Sequence, residues 1–176
     1  GFKVAVLNYT YGTNGIPIPQ SAPYCVNMLE DEEKIRDDIR RARQLADMVI
    51  VCPHWGSEYV YSATSYQKEW TELFLEEGVD VVIGTHPHVP QPVEWVTAEN
   101  GNTSLCYYSL GNYVSTQKQT LCMLEGMAWV TFHVTENDIY ISEKGTGVLP
   151  LVCHYTSGPV RLDSVYLLED YTEELA

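Results

Sequence analysis

Apolar positions fall into short continuous runs in the first half of the chain and into alternating patterns in the second. Residues 2–9, opening Phe2-Lys3-Val4-Ala5-Val6-Leu7, read as a strand. The stretch Thr10-Tyr11-Gly12-Thr13-Asn14-Gly15 and the following Pro17, Pro19 and Pro23 exclude regular structure. Asp31 is placed as a helix N-cap, with Glu32 and Glu33 in the first turn and Arg40, Arg41 and Arg43 toward the other end, the charge order that the helix dipole favours. Ile35, Ile39, Ala42 and Leu45 recur at helical spacing, so an amphipathic helix of about four turns is expected with these on its inner face.

Residues 48–52 form a continuous apolar run, the signature of a strand covered on both faces. A polar, tyrosine-rich segment at 54–65 leads to a second helix at about 66–77, with Trp70, Leu73 and Phe74 inward and Gly78 as its stop. Another buried strand follows at 79–84. The order strand, helix, strand, helix, strand predicts right-handed crossovers and a parallel sheet packed against helices. Beyond residue 100, strands are expected at 105–109, 129–134, 139–142 and 148–153, separated by turn residues such as Glu136-Asn137-Asp138. The expected fold class is therefore α/β. Parallel βαβ units over residues 1–100 lead into a mainly antiparallel second sheet over 101–166, and an acidic tail over 167–176 is mobile at its end.

Charge narrows the partners. The 176 residues carry 10 Lys and Arg against 24 Asp and Glu, a formal charge of −14. Five of the basic residues, Lys34, Arg36, Arg40, Arg41 and Arg43, sit in the first helix, which leaves no basic face for nucleic acid or an anionic membrane. The longest apolar runs fall far short of the roughly 20 residues that span a bilayer. The five cysteines (25, 52, 106, 122, 153) show no CxxC spacing and indicate neither a complete disulfide framework nor a zinc finger. Cys52 and Cys106, inside apolar strand patterns, are expected to be buried thiols. The opening at Gly1 reads as the interior of a longer protein, with any targeting segment upstream.

Three of the five histidines lie just past two of the buried strands: His54 in PHWGSE, and His86 and His88 in GTHPH. If one parallel crossover joins those strands, both loops emerge side by side at the carboxyl edge of the sheet, where open α/β folds bind ligands. Imidazole suits a borderline transition metal such as Zn, Mn or Fe, and converging histidines make a partial site for one. Three neutral imidazoles bring no negative charge, so carboxylates are wanted, and Glu58 and Glu94 are the local ones. Pro87 and Gly84 point to an irregular turn in which the two rings of the H-x-H pair address different metals. Isolated loop histidines would instead cap backbone groups. His133, facing away from Phe132 and Val134, and His154, at a strand end near Gly158 and Pro159, read as structural or solvated.

Four ordered motifs are HWGSEY at 54–59, GVDVVIGTHPHV at 78–89, QPVE at 91–94 and YSLGNY at 108–113. Together with LNYTYGTNG at 7–15 they resemble the bacterial CapA-type capsule-synthesis family, associated with poly-γ-glutamate. That resemblance implies the calcineurin-like metallophosphoesterase superfamily, a β-sandwich flanked by helices around a dinuclear metal centre. It assigns His54 and His86 to one metal and His88 to the other. The paired metals would polarise a phosphoryl or carbonyl oxygen and generate a hydroxide nucleophile. The superfamily's Asp-x-His, Gly-Asp and Asn-His-Asp motifs do not occur here. The bridging carboxylate and the Asn ligand are therefore absent, and Asp37, Asp38 and the nearby arginines lie on a helix and do not replace them. The chain is thus expected to be the C-terminal portion of such a protein, supplying about half of the metal ligands, with the N-terminal half as its partner. Thr85 stands where many relatives carry a further His, and the His86-Pro87-His88 spacing is kept.

Two functions follow. In the first, the intact protein is a metal-dependent hydrolase or transferase using Mn, Fe or Zn. Glu58 is then a general acid or a carboxylate that orients an imidazole, Glu94 a carboxylate beside the site or its substrate, and Asn112 either faces the site or caps its turn. In the second, it is a non-catalytic scaffold in a cell-surface polymer synthesis and export assembly. Both place it with capsule-polymer synthesis components, extracellular or at the cell surface, anchored through upstream sequence. A truncated sandwich is also expected to expose apolar surface where the rest of the protein docks.

Overall fold

The computed structural model describes residues 1–115, 117, 119–135, 138–156 and 163–175. Strand β1 (Val4–Thr10) is followed after the proline-rich connection by helix α1 (Glu32–Leu45). The Asp31 side chain accepts a hydrogen bond from Lys34 N at 3.1 Å, satisfying one of the donors a helix start leaves free. Strand β2 (Met48–His54) leads to helix α2 (Ser65–Glu76), whose start is a reciprocal capping box between Thr64 and Gln67. Gly78, at φ +83°, ends the helix in a conformation that only glycine adopts freely. Strand β3 (Val81–Ile83) completes the second crossover.

These strands join β4 (Val93–Thr97) and β5 (Thr103–Tyr107) in a five-stranded sheet of order β1-β2-β3-β5-β4. Strands β1, β2, β3 and β5 run parallel, and β4 is antiparallel to β5. The second sheet is antiparallel, of order β6-β7-β8, from β6 (Leu124–Val134), β7 (Ile139–Tyr155) and β8 (Asp163–Leu167). Successive side chains of the central strands serve opposite layers, as the two-residue period of a strand requires. Val82 and Cys106 join Ile35, Ile39, Leu73 and Phe74 beneath the helices, whereas Val81, Leu105 and Tyr107 meet Ala128, Val130 and Phe132 of the second sheet. Each fully buried aliphatic side chain contributes roughly 2 kcal/mol of transfer free energy.

The α/β organisation matches the sequence pattern, with several local differences. Leu45 is 63% exposed. At 3.6 residues per turn it points about 80° away from Ile35, off the arc shared with Ile39 and Ala42. Antiparallel pairing begins before residue 101, at β4, while the following β5 still pairs parallel with β3. Strand β4 was not expected, because its mostly exposed residues carry little of the apolar signal that marks a buried strand. Segments 139–142 and 148–153 are one long strand: Gly145, at φ +82°, absorbs an irregularity that read as a break. Strand β8 closes the segment expected to be antiparallel, and a 3-10 turn at Leu168–Asp170 occupies the start of the expected tail. Cys52 is only half-buried, whereas Cys106 is fully buried. His133 is exposed and stacks on Tyr140, and His154 Nδ1 lies 2.8 Å from Tyr171 Oη. Glu136, Asn137, Gly158, Pro159 and Ala176, named in the expected turns and tail, lie outside the described residues.

The basic residues of α1 are largely engaged internally. Arg36 and Arg40 both pair with Glu77, at 2.8 and 2.7 Å, and Arg43 pairs with Asp80 at 2.8 Å. These bridges tie α1 to the end of α2 and the approach to β3.

One carboxylate is out of place energetically. Glu125, at the start of β6, is 3% exposed, and neither carboxylate oxygen has a hydrogen-bond partner among the described residues. Burial disfavours its charged form and raises its pKa to about 8. An acid whose folded-state pKa exceeds its unfolded value stabilises the fold fully below the unfolded value near 4.5, and that contribution is lost as pH rises toward 8. Glu125→Gln is therefore expected to flatten this loss. Chemical denaturation at pH 8.5 should find the variant more stable by about 2–4 kcal/mol, with the difference shrinking toward pH 5. A pH-independent difference would contradict the assignment.

Candidate metal centre

Two loop-bearing strand ends are brought together by the parallel register. Strand β2 ends at His54, which bridges to Thr85 just past β3. Trp55 N donates to Thr85 O at 3.1 Å and Thr85 N to Pro53 O at 3.0 Å. The junction is locked from within. The fully buried Trp55 donates its indole N–H to Tyr108 O at 3.0 Å, directly against Gly84. A Cβ at Gly84 would collide with both groups, so only glycine lets the strand end approach this closely. Gln67, also fully buried, donates to Tyr108 O at 3.2 Å and to Gln91 Oε1 at 2.7 Å. Gln91 donates onward to the carbonyls of Val60 and Ser62, joining the 54–65 and 84–92 loops.

On this frame the histidines converge. The ring centroids of His54 and His86 are 4.7 Å apart and those of His86 and His88 are 5.8 Å apart. Candidate ligand atoms of Glu58, His86 and His88 all lie within 4.8 Å of one another, and Glu58 Oε1 is 3.5 Å from His88 Nε2. Both His86 (φ +102°) and His88 (φ +61°) occupy the left-handed region, as does Tyr59 (φ +63°). Each such residue costs of order 1 kcal/mol or more, and here the surrounding hydrogen bonds hold it. The irregular turn foreseen at Pro87 therefore exists, and it directs His86 and His88 into one group with Glu58.

The donor set fits a borderline transition metal: imidazole nitrogens with one carboxylate for charge compensation. His86 is 8% exposed. Burial holds the pKa values of His54 and His86 below the usual imidazole value, and repulsion from neighbouring histidines adds to the effect. Both are thus held neutral and able to ligate near pH 7.

The remaining candidates differ in position. Asn112 Oδ1 is 2.8 Å from His88 Nδ1, so this residue adjoins the cluster. Glu94 is exposed near the start of β4, opposite Cys106, and does not belong to the converging group. Three neighbours were not foreseen. Tyr11 packs its ring 4.5 Å from His86 and 6.0 Å from His54. Tyr59 stacks on His88 at 5.8 Å, and Gln117 bonds to both Asn112 and Tyr59. Tyr11 lies in a conspicuous TYGTNG stretch, but only the β1–β2 register shows that it meets the histidines.

Comparison with known proteins agrees with the motifs. Residues 1–117 match the family described as Bacterial capsule synthesis protein PGA_cap. The chain is 31% identical over 170 residues to the PGA biosynthesis protein CapA of Bacillus subtilis (strain 168), a match covering 94% of this chain and 40% of that protein. It is 32% identical over 107 residues to the Capsule biosynthesis protein CapA of Bacillus anthracis, covering 61% of this chain and 23% of that protein. The chain thus spans well under half the length of these relatives.

Two outcomes are expected from this geometry. Gly84→Ala should destabilise the fold by about 3 kcal/mol in denaturant titrations, because backbone and a buried indole must move to admit the methyl group. Calorimetric titration with Zn²⁺ or Mn²⁺ should detect binding at pH 7.5 that fades only below about pH 6, since ligation needs neutral imidazole. Loss of binding already at pH 7 would contradict the depressed histidine pKa values.

Proposed function

The chain belongs to the bacterial capsule synthesis protein family PGA_cap, and on that premise we propose that it is part of a protein of capsule or poly-γ-glutamate biosynthesis with a metallophosphoesterase-like metal site. The observation that carries this reading is the convergence of Glu58, His86 and His88, with His54 against His86, at the carboxyl edge of the sheet. In it, residues 1–176 form the C-terminal portion of the metallophosphoesterase-like domain, and the rest of the protein supplies the remaining ligands of a dinuclear centre. The lengths of the relatives support that division.

His54, His86 and His88 would hold the divalent transition metal, Mn, Fe or Zn. When bound, it supplies Lewis-acid polarisation of a phosphoryl or carbonyl oxygen in a hydrolase or transferase reaction. Glu58 is half-exposed and touches His88, which suits a carboxylate that orients the imidazole or moves a proton at the mouth of the site. Tyr11, stacked near His54 and tilted against His86, packs beside both imidazoles. Glu94, which is not in that group, is left for a contact with substrate beside it.

No helix among the described residues is long and apolar enough to cross a membrane. A location at the cell surface therefore rests on anchoring by sequence outside this chain, alongside the components that synthesise the polymer. The test uses the full-length protein. Elemental analysis should find close to two equivalents of Mn, Fe or Zn. Hydrolysis of bis(p-nitrophenyl) phosphate should fall at least 100-fold in His86→Ala, with capsule production lost in cells carrying it. Metal-free protein, with His54→Ala, His86→Ala and His88→Ala all harmless to capsule production, would instead leave a scaffold.

A further inference from the structure

Each of two histidines in the cluster has one ring nitrogen committed to a protein group whose own hydrogen-bonding role is already decided. Thr85 Oγ1 lies 3.2 Å from His54 Nδ1 and 3.4 Å from Pro53 O. A carbonyl oxygen only accepts, so the hydroxyl hydrogen goes to Pro53, and Thr85 offers His54 a lone pair. The arrangement in which both contacts are hydrogen bonds places the proton on His54 Nδ1.

Asn112 reaches the same result by another route. Its Nδ2 faces three acceptors: Gln117 Oε1 at 2.9 Å, His88 O at 3.4 Å and Cys122 O at 3.5 Å. Two of these are backbone carbonyls, so the amide nitrogen belongs on that side and Oδ1 is left toward His88 Nδ1 at 2.8 Å. Gln117 accepts from Asn112 with Oε1, and its Nε2 donates to Tyr59 Oη at 3.0 Å. Tyr59 N donates to Pro87 O at 2.8 Å, and its ring stacks on His88 with planes 30° apart. The chain of contacts therefore starts and ends on His88.

We propose that Thr85, and the circuit Asn112–Gln117–Tyr59 around His88, are positioning residues that hold His54 and His88 as Nδ1–H tautomers and reserve both Nε2 atoms for the ligand of the cluster. This deepens the metal reading above and rests on it for the identity of that ligand. Free neutral imidazole prefers the opposite tautomer, with the proton on Nε2, so an unassisted ring would turn its donor proton toward the site. For His88 the consequence is visible: Nε2 is the atom that faces Glu58, at 3.5 Å. The hydroxyl of Thr85 thus has a definite role at a position where the resemblance expects a further histidine.

The test is long-range ¹H–¹⁵N correlation of the histidine rings in full-length, metal-free protein at pH 8, with His54 and His88 assigned from His54→Gln and His88→Gln. Both rings are expected to show the Nδ1–H pattern. Thr85→Val should move His54 alone toward the Nε2–H pattern, and Asn112→Ala should move His88 alone. Each should weaken Zn²⁺ binding about 10- to 100-fold. Thr85→Ser, which restores the hydroxyl, should return both the pattern and the affinity. Wild-type rings in the Nε2–H pattern, or variants that lose affinity with an unchanged tautomer, overturn the inference. Protein that shows the Nδ1–H pattern but takes up no Zn²⁺ supports the tautomer assignment and removes the metal reading instead.

Discussion

The close approach at Gly84 is the constraint on which the rest of this structure depends. A strand end, a buried indole and the carbonyl of Tyr108 meet where no Cβ fits, and the hydrogen bonds of Trp55 and Gln67 to that carbonyl hold the contact. Because β2 and β3 are neighbours in a parallel sheet, their carboxyl ends are necessarily side by side. The lock at Gly84 adds the precision that parallel pairing alone lacks. It sets the position from which His86 and His88 depart, and the paired Gln67 and Gln91 side chains hold the facing loop against them.

The strained backbone of the site belongs to the same argument. Three non-glycine residues in the left-handed region, Tyr59, His86 and His88, lie within a few ångströms of one another around one cluster. Such strain persists only where neighbours over-determine it. Here they do: Tyr59 N is bound to Pro87 O, the His88 ring is held between Tyr59 and Asn112, and Tyr11 packs on the other side against His54 and His86. The rigidity of the parallel sheet is transmitted to the imidazoles through these few contacts, and a preorganised donor set is what metal ligation needs.

Charge acts at two scales. The chain as a whole carries a balance of −14, and Arg36, Arg40 and Arg43 of α1 are paired with Glu76, Glu77 and Asp80. Within the site the opposite economy holds: His54 and His86, whose basicity burial lowers, converge with His88 on one partly exposed carboxylate. A cation placed there is favoured by the local donors and by the acidic protein around them. Glu125, by contrast, is a carboxyl group kept neutral by burial where the second sheet begins.

The sequence by itself determined the α/β class, both helices with the Asp31 cap and the Gly78 stop, and the parallel crossover that lays two loops along one edge. Those features are local: continuous apolar runs, helical spacing and termination chemistry are written within a dozen residues. The family was legible too, because its motifs are contiguous and ordered. What the tertiary structure alone decided depends on residues far apart in sequence. It placed Tyr11, Tyr59 and Gln117 around the histidines, put Glu94 outside the converging group, and gave β5 to the parallel sheet. It also merged two expected strands into β7. No periodicity encodes which side chain fills the space beside an imidazole, since that is settled by strand register and by the few glycine and left-handed positions where the backbone turns.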